Sequence, residues 1–219
     1  MKNFFNMDNS VFTALGKLCD MLFLSVVFVL VCIPVITIGP ANTALYYATV
    51  KVIRRERGYL FREFFKSFKL NFKRGAIIGV GLTIMFVVLA FDLLAAWATS
   101  NSEGSSNSIF FGIFLAFTFL LLCFSLYVFP LLSRFDMTVM QIIKASMFMS
   151  MRHLPFTILM ALILIASIVG VFFMPMLIFI VPSSVAFVNS FFMERILKKY
   201  MPKAEDTEEN TSKDEWYNE

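Results

Sequence analysis

The sequence predicts an all-α fold: a polytopic transmembrane bundle of five spans, with amphipathic helices on its cytoplasmic surface. Three observations predict it. The first is composition: 59% of the 219 residues are hydrophobic, 28 are Phe, only 16% are charged, and the mean hydropathy is +0.79. Soluble domains are roughly half apolar and about a quarter charged, so a chain of this size has more apolar surface than one soluble core can hide. The second is the recurrence of apolar runs near the ~20 residues needed to cross a bilayer. The third is the placement of Lys and Arg, which gather in alternate connections.

The first run, residues 21–38, ends in "CIPVITIGP". It is too long for the apolar core of a signal peptide and a dense basic segment follows it, so it reads as a retained anchor. Pro34 lacks a backbone donor and disfavours a continuous helix there. A re-entrant element with the N-terminus inside is therefore the second reading of this run. Spans two and three are 76–98 and 109–132. The unbroken apolar stretch 154–193 is too long for one crossing. It divides into 154–173 and 174–193 around a turn near Gly170–Pro175. Residues 1–203 thus form one membrane domain, and the acidic residues 204–219 read as a disordered cytoplasmic tail.

Orientation follows from the basic residues, which favour the cytoplasmic side of short loops. The connections after successive spans hold 9, 0, 3, 0 and 5 Lys and Arg. Five spans satisfy every loop, with the N-terminus outside and the C-terminus cytoplasmic. Only Lys2 and Lys17 then lie outside. The expected location is a bacterial cell membrane.

The largest inner loop contains "GYLFREFFKSFKLNFKRG". Phe64, Phe65, Phe68 and Phe72 recur at helical spacing, interleaved with Arg62, Lys66, Lys69 and Lys73. Segregated aromatic and basic stripes suit a helix lying at the bilayer surface. Its rings enter the acyl boundary and its cations meet anionic headgroups. Nucleic-acid binding would want the aromatics exposed beside the charges, so no nucleic-acid partner is expected. "ANTALYYATVKVIRR" reads as a second surface helix, and the two could form a platform that docks a partner. A further cytoplasmic helix is expected over Thr138–Met151, capped by Asp136 or Thr138.

Asp92 is the one carboxylate well inside a span, which makes it a functional candidate; the plainer reading is that it meets water or Lys17. Asn189 and Ser183–Ser184, beside Pro182, could line a pathway, though hydrogen bonding between helices is the stronger expectation. Gly75 and Gly79 form Gly-x-x-x-Gly, a close-packing face. No nucleophile–base set, metal cluster or phosphate loop is present, so no enzyme, cofactor or metal is expected.

Residues 32–75 resemble the YesL family of Gram-positive bacterial membrane proteins. The matching residues are Pro34, Thr37, Gly39, Ala44, Leu45 and Tyr46, followed by a basic stretch and the Phe-rich segment closing in Asn71-Phe72. The resemblance implies an accessory role beside carbohydrate importers, with ABC-type importer components as partners. The alternative is a self-contained small-solute transporter or channel subunit working as a homo-oligomer.

Overall fold

The computed structural model describes residues 10–100 and 104–200. Eight α-helices appear among them, and no strand. They are α1 (Ser10–Val31), α2 (Ile38–Ala48), α3 (Leu60–Leu70), α4 (Phe72–Ser100), α5 (Gly104–Arg134), α6 (Val139–Arg152), α7 (Leu154–Phe173) and α8 (Val181–Leu197). Among the described residues, three stretches are long and apolar enough to cross a membrane: Phe72–Ala98, Ile109–Arg134 and Leu154–Phe173. These are the expected second, third and fourth spans. The acidic tail 204–219 lies outside the described residues.

One end of the bundle gathers the basic connections. Arg74 pairs with Asp136 at 3.1 Å, which sets the start of α4 beside the end of α5. His153 Nε2 lies 3.2 Å from Tyr200 Oη, which sets the start of α7 beside the end of α8. Lys17 pairs with Glu56 at 2.7 Å, which adds the early part of α1 to that end.

The same contact closes a hairpin around the expected first span. α1 stops at Val31, and the chain reverses around Pro34 through a 3-10 turn, Val35–Thr37. Thr37 Oγ1 donates to the carbonyls of Val31 and Pro34, tying the reversal together. The chain then returns through α2 and a π-helical turn, Thr49–Arg54. Residues 21–38 are thus the outgoing leg and tip of a hairpin, and the helix that follows them packs back against it. Pro34 supplies the physical reason: it cannot donate a helical hydrogen bond, and it biases the residue before it away from helix. The tip exposes Ile33, Val35 and Ile36.

The expected second surface helix is corrected. Ala41, Thr43, Ala44, Ala48, Thr49 and Val50 are fully buried. α2 is the centre of the bundle, touching α1, α3, α4, α5 and α8. What lets it approach α4 is glycine. Gly79 lies where a Cβ would come within 2.6 Å of the Gly39 Cα, and a Cβ on Gly39 would overlap the Gly75 carbonyl. The Gly-x-x-x-Gly face is therefore occupied by Gly39-Pro40. Gly81 has open space beside it and takes no part.

The fifth expected span begins later than 174. A 3-10 turn, Pro175–Phe179, follows α7, and α8 returns from Val181 to Leu197. Pro175 and Pro182 each sit in the first turn of their element, where a missing N–H costs nothing. α6 fills the expected surface helix almost residue for residue, and the Thr138 N–H donates to Gln141 Oε1 at 3.0 Å.

Candidate functional site

Two sites emerge: a polar cluster buried at the basic end, and a cavity just beyond it. The cluster is built on Glu194 in α8. Its carboxylate accepts from Arg134 Nη2 at the end of α5 and from Tyr46 Oη in α2, the latter at 2.9 Å. Arg55, just past the π-helical turn, comes within 3.7 Å of the other carboxylate oxygen. Arg54 Nη1 donates to the Ser190 carbonyl at 2.8 Å, and its guanidinium lies over the Phe191 ring. A buried carboxylate is tolerable only when paired and hydrogen-bonded. Three elements supply those partners here and converge on one anion.

α3 is mounted on this core by a second buried pair. Lys51 Nζ reaches Glu63 Oε2 at 2.9 Å, with both side chains only 11% exposed. Phe64 is fully buried, and Phe65 and Phe68 pack against Met21, Leu24 and Ala48 with it. The expectation that this Phe stripe enters the acyl boundary is therefore corrected. Most of the stripe seats the helix on α1 and α2. Its reason lies at the flanking positions: Glu63 and Ser67 share the buried face, so that face is set by polar pairing as much as by rings. Phe72 is exposed and belongs to α4, as does Lys73, because the helix breaks at Asn71. Phe61, Arg62, Lys66, Lys69 and Leu70 face outward from α3.

The motif residues now have individual jobs. Pro34 and Thr37 make the reversal, Gly39 allows contact with α4, Ala44 and Leu45 fill the core, and Tyr46 joins the Glu194 cluster. Ser183 bonds Ser25 across helices at 2.7 Å and also donates to the Met21 carbonyl, which locks α8 to α1.

The cavity has a volume of about 480 Å³. Its walls come from α1, α2, α4, α5, α7 and α8 and are chiefly apolar, with Phe28, Leu82, Phe86 and Leu164 among them. Asn189 lines it, 8% exposed, and its Oδ1 has no hydrogen-bond partner. Asp92 does not line it; it sits half-buried further along α4. Lys17 is engaged by Glu56, so the pairing of Lys17 with Asp92 is overturned. The sequence reading singled out Asn189 but missed Glu194 and Arg134. The available signal was an acid and a base each closing a long apolar helix, "FFMERIL" and "PLLSRF".

A family model described as a protein of unknown function, DUF624, matches residues 20–93. That stretch runs from α1 through most of α4, so it covers the hairpin, its glycine contact and the seat of α3. No match was found among curated proteins or solved structures.

Proposed function

We propose that the chain is a non-enzymatic multi-pass membrane protein, an accessory or regulatory component of a solute uptake system. The motif's resemblance to the YesL family makes carbohydrate the solute class and ABC-type importer components the partners. The supporting observation is the mounting of α3. A helix anchored by Lys51–Glu63 and by buried Phe64 holds Phe61, Arg62 and Lys69 outward in a fixed array. Such an array can meet anionic headgroups and a partner's inner surface together. The basic end is assigned to the cytoplasm by the excess of Lys and Arg there. In this topology α4, α5, α7 and α8 cross, and the α1–α2 hairpin re-enters, so the start of α1 and the end of α8 share the inner side. That replaces the five-span arrangement with an outer N-terminus.

The test uses a strain lacking the protein, restored with wild type or with Phe61→Ser, Arg62→Glu and Lys69→Glu combined. These positions are exposed, whereas Phe65→Ser or Phe68→Ser would loosen the core. Wild type should retain an importer permease or ATPase on purification and restore carbohydrate uptake, and the variant should insert normally but do neither. Equal uptake and equal recovery in both would sink the reading. The alternative, a self-contained transporter or channel subunit, draws on the cavity beside Asn189. Solute movement by the purified protein alone in vesicles would favour it.

A further inference from the structure

The basic end holds far more cations than its own acids can meet. Among the described residues sixteen Lys and Arg lie there, against five acids. The acids are Asp20, Glu56, Glu63, Asp136 and Glu194. The last four are already paired, with Lys17, Lys51, Arg74 and Arg134 in turn. The densest part of the excess is the outer face of α3. Arg62, Lys66 and Lys69 are exposed on it, and Lys73 continues the stripe at the start of α4. Glu63, the one acid of α3, is turned inward to Lys51. In α6, by contrast, Lys144 and Arg152 stand about two turns apart, and Arg152 lies over Phe148 and Tyr200. A row of cations on a firmly mounted helix attracts a polyanion.

The chain carries such a polyanion itself. Residues 204–219 contain seven Asp and Glu against one Lys, and four of the acids, Glu205, Asp206, Glu208 and Glu209, fall within five residues. The root of this segment is fixed at the basic end: Tyr200 meets His153 and lies under the Arg152 guanidinium. The turn that carries α3 through Lys51 also holds α8, because Arg54 donates to the Ser190 carbonyl. α3 is therefore about two helix diameters from α8, roughly 20 Å. The eight residues from Tyr200 to Glu208 span up to about 27 Å when extended. The charge patterns also match in length: Arg62 to Lys69 rises about 10 Å along the helix, and Glu205 to Glu209 extended covers about 13 Å. We propose that residues 204–219 dock on the outer face of α3, with the Glu205–Glu209 acids against Arg62, Lys69 and Lys73. Tethering sets a local concentration in the millimolar range, so surface pairs that are weak one by one suffice. The docked tail shields this face from headgroups and from a partner. The inference rests on the reading of α3 as an outward basic array, and on no importer.

The experiment is energy transfer, in the full chain, from a tryptophan beside the acidic cluster to a dansyl group on α3. Asn210→Trp with Trp97→Phe and Trp216→Phe leaves one donor. Leu70→Cys with Cys19→Ser, Cys32→Ser and Cys123→Ser leaves one labelling site, at an exposed position of α3. In neutral detergent, transfer should be high at about 0.01 M salt and fall several-fold at about 1 M, as the screening length drops from about 30 to about 3 Å. At low salt, Arg62→Gln, Lys69→Gln and Lys73→Gln combined should lose it. So should Glu205→Gln, Asp206→Asn, Glu208→Gln and Glu209→Gln combined. The three basic positions are exposed, so their neutralisation leaves the packed face of α3 intact. In phosphatidylglycerol nanodiscs, transfer should stay above that of the neutralised tail. Equal transfer there means that headgroups hold α3 instead, and overturns the proposal. Transfer that ignores salt, or that survives neutralisation of α3, overturns it as well. No importer is present, so these outcomes are separate from a failure of the accessory reading.

Discussion

The two ends of the bundle bury different things. At the basic end charged and small side chains are buried together with large apolar ones: Thr43, Ala44, Lys51, Glu63, Arg134 and Glu194 share the interior with Phe64, Leu131, Ile142 and Leu197. Further along α4, the exposed positions are the large apolar ones, with Phe91 69% and Leu94 66% exposed and Ile84, Met85, Val88 and Trp97 also outward. In water this would be inside out. In lipid, tails solvate apolar groups as well as another side chain does, so close approach and polar pairing decide what packs against what. The comparison teaches that hydropathy locates this chain in a membrane but does not separate lipid-facing from buried apolar residues, whereas a charged residue inside the bundle marks the core by needing a partner.

The largest effect should come from the charge cluster. Glu194→Gln leaves Arg134 buried without its counter-charge, and breaking such a pair costs on the order of 3–5 kcal/mol. Thermal unfolding in mild detergent should show a large drop, and Arg134→Met in the same background should recover part of it. A small loss for Glu194→Gln alone would mean that polar pairing does not hold this end together. The matching change at the other end, Phe91→Ala, should be close to neutral.

Glycine packing comes next. Gly39→Ala forces a methyl group into the backbone of α4, and overpacking of this kind typically costs about 1–3 kcal/mol. Gly81→Ala meets open space and should leave the melting temperature unchanged. Equal stability of the two variants would break the comparison.

The smallest effect concerns pH at the edge of the basic end. His153 is held below its ordinary value of 6.5, by burial first and then by Lys199 and Arg152. The unfolded chain therefore takes up its proton at higher pH than the folded one, and folding stability falls as pH drops through 6.5 and below. Melting curves at pH 7.5 and 5.5 should show the loss, and His153→Gln should flatten it. An identical slope in the variant would assign the pH dependence elsewhere.

Much of the helical layout was legible in the sequence. The runs 76–98, 109–132 and 154–173 were found from length and apolarity because those properties are local. The hairpin was harder: an apolar run looks alike whether it crosses or turns, and only Pro34 marked the difference. The Phe stripe of α3 was legible as helical. Its burial was not, because an apolar face can turn to lipid or to protein with little change in hydropathy. Arg134 counted as a loop charge until its distant partner was in view, since Glu194 lies 60 residues on. Asn189 stood out as polar, but its lack of a partner is a property of the packed helices alone.

The lock between the α1–α2 hairpin and α8 bears on how the protein is made. Ser25 meets Ser183 and Tyr46 meets Glu194, pairs separated by 158 and 148 residues. Ribosomes add about 5–20 residues per second, so the hairpin waits roughly seven to thirty seconds for its last neighbour. Through that interval Tyr46 lacks its carboxylate and Ser25 its partner hydroxyl. The closing helix is thus a latch that arrives last, and a chain whose synthesis stops before Val181 leaves its oldest segment unfastened and open to membrane proteolysis.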